Sequence, residues 1–280
     1  GKGFKMHGLV NKEGRPVAGS GVVSSANFPD EWQGDYILAN TIGFLGVKQY
    51  DLEPKNEEDH MWGEPRQDLI KSSDKNFRPS DVEFGSDGAL YVSDWHNVII
   101  GHMQHNIRDP SRDHTHGRIY RVIHKGKPLQ EDVKVDGASL DQLMKNLEHP
   151  VDGVRYRTRI ELSERKTKDV IAACKKWASK WDPAKKEHAH HILEALWVHQ
   201  QHNVRDGELL GKVLNSPVSH ARVAAKTVQH LWYTADPTKG SAAVEEVKVT
   251  KNDPPGVFKD TDEATDVRVG TLLEQLKFDI

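Results

Sequence analysis

The apolar residues of this chain change their period once, and that change limits the folds open to it. Up to residue 126 the hydrophobic stretches are short, rich in β-branched and aromatic residues, and separated by Gly, Pro and Asp turns; from Ser139 onward they recur at helical spacing. Residues 22–26, 36–39 and 45–50 read as one group of antiparallel strands, with a turn at Pro29-Asp30-Glu31. Residues 81–84, 89–93 and 118–123 read as a second group, its first turn set by Ser86-Asp87-Gly88. Each group occupies about 45 to 50 residues, the size of one β-propeller blade. Two blades cannot close a propeller, so either further blades belong to the parent protein or the strands form a small sheet of another kind.

In the second half, Leu140, Leu143, Met144 and Leu147 fall at i, i+3, i+4 and i+7 and stop at His149-Pro150. A short basic helix is expected over 154–165. Thr167-Lys168-Asp169 is expected to cap a helix that carries Val170, Ile171, Cys174 and Trp177. Ile192, Leu193, Leu196 and Trp197 share a face over 187–202, a brief helix covers 207–214, and Val223, Thr227, Val228, Leu231 and Trp232 gather over 219–233. Short helices with short polar connections point to stacked pairs of the HEAT or armadillo type. The expected fold class is therefore mixed, β then α. Residues 1–126 are partial propeller blades, 127–137 a linker, 138–236 HEAT-like helices, 237–265 a linker or extended arm, and 266–280 the start of a further β domain.

Charge and composition exclude some partners. A formal charge of −3 gives no basic field for nucleic acid. No stretch approaches the roughly 18 to 20 apolar residues of a membrane span, and residues 1–6 lack the apolar core of a signal peptide. The first residue is Gly1 rather than methionine, which points to a processed product or a piece of something longer. Cys174 is the single cysteine, so neither an intrachain disulfide nor a thiolate metal cluster is expected; it reads as a small core residue. His188, His191, His199 and His202 read mostly as solvated surface, and Trp177, Trp181, Trp197 and Trp232 as packing.

The densest chemistry lies in residues 94–121, where five histidines and four arginines stand between two predicted strands. Loops held by a rigid sheet are where binding and catalytic groups concentrate. Three readings are open. His102, His105 and His116 have the chemistry of metal ligands, although no H-E-x-x-H or C-x-x-C pattern accompanies them. Arg78, Arg108, Arg112 and Arg118, with Asp81 and Asp94, can form a pocket for an anionic or sugar-like ligand, since guanidinium forks bind carboxylate and phosphate. The third is a braced network in which these arginines and Arg121 pair with Asp81, Asp94, Asp109 and Asp113. A histidine beside an aspartate can also act as general base toward an alcohol, with His96 or His114 in that role.

Three stretches carry a resemblance. FRPSDVEFGSDGALYVSDWHNVIIGHMQH (77–105), continuing through RDPSRDHTHGRIYR (108–121), together with FPDEWQGDYILANTIGF (28–44) and RYRTRIELSE (155–164), resembles the large haem-binding, membrane-bound dehydrogenase-type proteins of planctomycetes and verrucomicrobia. It covers about residues 20–235. The resemblance implies a β-propeller related to soluble quinoprotein sugar dehydrogenases, a HEAT-like domain, and often a cytochrome c whose C-x-x-C-H motif this chain does not contain. VRVGTLLEQLKFD (267–279) is similar to the opening strand of azurin-like cupredoxins, which hold copper with residues found later than any in this chain. The implied function is part of an exported or periplasmic dehydrogenase of sugars or other alcohols. Pyrroloquinoline quinone or a metal ion is implied in the propeller, with electrons passing to cytochrome c or cupredoxin partners. The alternative is a non-catalytic scaffold of an electron-transfer assembly.

Overall fold

A computed structural model describes residues 9–10, 17–54, 61–100 and 109–234. Antiparallel strands occupy the N-terminal part and helices the C-terminal part. The regions expected as an arm (237–265) and as a further β domain (266–280) lie outside the described residues.

Strands β1 (Val17–Val22), β2 (Tyr36–Asn40), β3 (Gly46–Pro54) and β4 (Met61–Pro65) form a meander in that order, and the two-residue β5 (Ile70–Lys71) pairs with the start of β3. Strands β6 (Pro79–Phe84), β7 (Leu90–Asp94) and β8 (Arg118–Val122) form a second antiparallel sheet. Leu90 and Val92, alternate residues of β7, and Val82 of β6 face a core shared with Ile37 and Val47 of the first sheet and with Val23 and Phe28 of the loop that follows β1. Phe28 meets Phe84 edge to face at 5.3 Å between ring centres. The two sheets approach most closely through β1 and β6. A side chain at Gly19 would lie 2.1 Å from Asp81 Oδ1 and 2.5 Å from Asp81 Cα, so the position admits only glycine.

Two strand assignments change. The first strand is 17–22 rather than 22–26, because the backbone beyond Val22 leaves the ladder: Val23 donates to Asp35 O at 2.8 Å, and Ser25 Oγ donates to Gly88 O at 2.6 Å. The strand β4, Met-Trp-Gly-Glu-Pro, carries no alternation and is held by its register against β3, Tyr50 opposite Pro65. Asn27 then pins the exit from β8: its Oδ1 accepts from His124 N at 2.9 Å, and its Nδ2 faces the carbonyls of His124, Lys127 and Pro128 at 3.0–3.2 Å.

Six helices follow: α1 (Leu140–Asn146), α2 (Asp152–Ser163), α3 (Thr167–Ala178), α4 (Ala189–Gln201), α5 (Gly207–Leu214) and α6 (Ser219–Thr234). The predicted stripes are the core: Leu143, Met144 and Leu147 of the first helix region, Val170, Cys174 and Trp177 of α3, and Ile192, Leu193 and Leu196 of α4 are buried together. Ser139 and Asp206 cap α1 and α5 through their side chains. The expected cap of α3 is absent; Thr167 is already helical, and its hydroxyl lies 3.2 Å from His202 Nδ1 instead. The amide of Asp152 donates to Ser24 Oγ at 2.8 Å and ties α2 to the first sheet.

The α4 histidines are not a solvated row. His199 is fully buried; its Nδ1–H donates to Ala195 O at 2.9 Å, and burial lowers its pKa, so it stays neutral. His191 stacks on Trp181 at 4.2 Å. Both follow from the helix: positions 191 and 199 flank the apolar stripe rather than oppose it. Cys174 Sγ lies 3.9 Å from His199 Nδ1, and His199 Nε2 lies 3.8 Å from Asp206 Oδ2. Burial pushes that thiol up to about 12, so the trio is inert packing and not a nucleophile with its base.

Candidate functional site

The site is built on the end of β7. Asp94, 3% exposed, turns its Oδ1 back to accept from the amides of Arg78 and His96, each at 2.7 Å. This latch holds His96 at φ 48°, in the left-handed region that residues other than glycine seldom adopt. Trp95 N donates to Arg78 O at 3.0 Å, and the Trp95 side chain, between the two latched residues, is 51% exposed. Asp94 Oδ2 is buried without a hydrogen-bond partner among the described residues.

Arg78 clamps this corner. Its Nε donates to Asn97 O at 2.9 Å, its Nη2 to Val98 O at 2.9 Å, and its Nη1 to Thr41 O, just beyond β2, at 2.8 Å. One guanidinium thus joins both sheets through three carbonyls. Burial lowers its pKa while the Asp94 charge opposes that shift. A guanidinium committed to three carbonyls braces the loop and does not offer its fork to a ligand.

Residues 109–117 form two side-chain-closed turns. Asp109 accepts from Ser111 N at 2.9 Å and from Ser111 Oγ at 2.6 Å. Asp113 Oδ1 accepts from Thr115 N at 2.9 Å and His116 N at 3.1 Å. Those amide bonds, first Thr115 and then the His116 side chain, hold the Asp113 carboxyl well below the usual range. His116 Nδ1 lies 3.1 Å from Asp113 Oδ2. A histidine that donates from Nδ1 to a carboxylate keeps Nε2 as an acceptor, and the His116 side chain is 74% exposed.

An open groove of about 490 Å³ runs between this turn and the β7 corner, lined by Trp95, Asn97, Arg112, Asp113, His114 and His116 among others. Of the residues expected from sequence, Arg112, His114 and His116 meet in it. Arg78, Asp94, His96 and Arg118 lie in the corner that supports it. Asp81 sits apart, exposed on β6 against Gly19, its Oδ1 taking the Val82 amide at 3.0 Å. His102, His105 and Arg108 lie outside the described residues.

Two expected pairings are replaced. Arg118 Nη1 lies 2.9 Å from His96 Nδ1, and because arginine only donates, that nitrogen accepts and the His96 proton sits on Nε2. Asp94 Oδ2 is 3.8 Å from His96 Nδ1, too long to orient it as a general base. Arg121 pairs with Asp87 at 2.6 Å rather than with an aspartate of the loop, because it stands opposite Tyr91 on β7, beside the β6–β7 turn that carries Asp87. Trp95 and Asn97 escaped the sequence reading; an aromatic placed directly after a strand end, in Asp-Trp-His-Asn, was the signal available for them.

Among the described residues no three His, Cys, Asp or Glu side chains converge as a metal set. A quinone tricarboxylate would need several cations on one face. Arg78 is spent on carbonyls, Arg118 faces His96 and Arg121 holds Asp87; among the described residues Arg112 is the one arginine lining the groove, so these residues do not fit such a group.

A family model described as a domain of unknown function (DUF7133) matches residues 7–126, which take in both sheets and the groove. No curated protein and no solved structure matches the chain.

Proposed function

We propose that the chain is part of an exported oxidoreductase, a quinoprotein-like dehydrogenase of sugars or other alcohols that passes electrons to copper or haem carriers. In this reading the two sheets are adjacent propeller blades and the helices a HEAT-like domain. The long resemblance of residues 28–44 and 77–121 supports it, as does the close approach of β1 and β6, the leading strands of their meanders. The observation that carries the chemistry is the Asp113–His116 pair in an open polar groove.

Oxidation of an alcohol removes the hydroxyl proton and delivers two electrons, with the carbon-bound hydrogen, to an acceptor. His116 Nε2 takes the proton, and Asp113 fixes the tautomer and supports the imidazolium. The electron acceptor is held by parts of the parent protein beyond the described residues.

The full-length protein should reduce an electron-acceptor dye when given hexoses or simple alcohols. His116→Gln should then lower kcat by about 100-fold or more, the range for loss of a positioned base. No dye reduction with any sugar or alcohol overturns the dehydrogenase reading. One observation favours a second reading, a non-catalytic scaffold: Arg78, Asp94 and Asp109 spend these bonds on the protein's own backbone, Arg78 across to Thr41 just beyond β2 of the other sheet.

A further inference from the structure

We infer that Trp95 is the platform on which a neutral, polyhydroxylated ring of pyranose size stacks, so that the groove selects uncharged sugars over anionic ones. The inference deepens the reading above and rests on its groove.

The first support is the indole itself. A tryptophan buries a large apolar area when it packs, yet Trp95 leaves half of its surface to solvent while the residues on either side of it are buried. The backbone that carries it is fixed: Asp94 Oδ1 holds the Arg78 and His96 amides at 2.7 Å, and the positive φ of His96 turns the chain immediately after it. A rigid aromatic face presented this way matches the C–H face of a sugar ring at little cost in side-chain entropy.

The second support is charge. Among the described residues the groove is lined by one arginine and one aspartate, Arg112 and Asp113, whose formal charges cancel. Among the described residues, Arg78 is committed to carbonyls, Arg118 faces His96 and Arg121 holds Asp87. A carboxylate or phosphate would need a fork that the groove does not concentrate. Neutral hydroxyls find both kinds of partner there. Asn97 spends its Oδ1 on the Ile99 amide at 3.2 Å and keeps Nδ2 as a donor, and His116 Nε2 is an acceptor.

The test is calorimetric titration of the full chain with glucose, galactose and glucuronate, alongside Trp95→Ala and Trp95→Phe. Trp95 is exposed, so both variants should melt close to the parent. The neutral hexoses should bind and glucuronate should bind more weakly. Trp95→Ala should lose about 10-fold or more in affinity, equal to 1.4 kcal/mol, and Trp95→Phe should stay within about threefold. Hexose affinity unchanged in Trp95→Ala, tighter binding of glucuronate, or no hexose binding at all overturns the inference. The dehydrogenase reading fails separately: hexose binding that depends on Trp95 without dye reduction removes the activity and leaves the site.

Discussion

Glu194→Ala should destabilise the helical part by about 3–5 kcal/mol, the range for breaking a buried ion pair and stranding its partners. Glu194 is fully buried on α4. Both of its oxygens lie 2.8 Å from Arg159 Nη1, Arg155 Nε approaches to 3.2 Å, and His190 Nε2 lies 3.2 Å away. Arg155 and Arg159 come from α2, so this single carboxylate joins two helices. Burial alone would raise its pKa; the His190 hydrogen bond and the Arg159 charge outweigh that and hold it low. Removing it strands the Arg159 guanidinium, mostly out of water, without its carboxylate, and leaves Arg155 with Asp152 at 3.1 Å as its remaining counter-charge. Because the folded pKa is depressed, the stabilisation is complete above the ordinary value of 4.5 and fades as pH falls through the lowered folded value. Urea unfolding followed by far-ultraviolet circular dichroism measures the loss. Glu208→Ala is the control: its partner Lys212 is 2.7 Å away but the pair is exposed, so the change should stay within about 0.5 kcal/mol. Equal effects in the two variants would show that the buried network contributes nothing special.

Gly19→Val should cost about 2–3 kcal/mol or more, as overpacking against backbone does. The added side chain would meet Asp81 Cα at 2.5 Å, and backbone cannot rotate away as a side-chain tip can. The loss should fall on the β part, where β1 and β6 would be forced apart. Gly211→Ala should have the opposite sign. Gly211 lies in α5 with nothing within 4 Å of an added methyl, so helix propensity should stabilise by about 0.5–1 kcal/mol. Thermal melts of the two variants read both signs; a neutral Gly19→Val would mean that the two sheets are not packed through these strands.

Much of this architecture is legible in the residues because it rests on period. The stripe at Leu143, Met144 and Leu147 and the one at Ile192, Leu193 and Leu196 are buried as their spacing requires, and β2, β6, β7 and β8 overlap the short runs between turns that read as strands, although β8 is exposed along most of its length. What the sequence hides is pairing over distance. Strand β4 exists because β3 offers it a ladder, and the burial of His199 depends on α3 and α5 closing over it. The site divides the same way. The loop of residues 94–121 announces itself by composition, and Arg112, His114 and His116 do meet in one groove. Composition says nothing of which groups are already used: Arg78 turns out to be spent on Thr41, Asn97 and Val98, and His96 faces Arg118. Trp95, the platform of the proposed sugar site, is distinguished by exposure, which no single-sequence pattern reports.

The central claim is that the groove beside β7 takes a hydroxylated ligand. Of the 16 histidines in the chain, His114 and His116 lie in the groove, whereas His199 is sealed in the helical core. Ring proton–nitrogen correlation spectra of the full chain, recorded while glucose is added, separate these directly. The signals of His114 and His116 should move together and saturate, with His199 unmoved. Saturating shifts at other histidines with His114 and His116 unchanged would contradict the account.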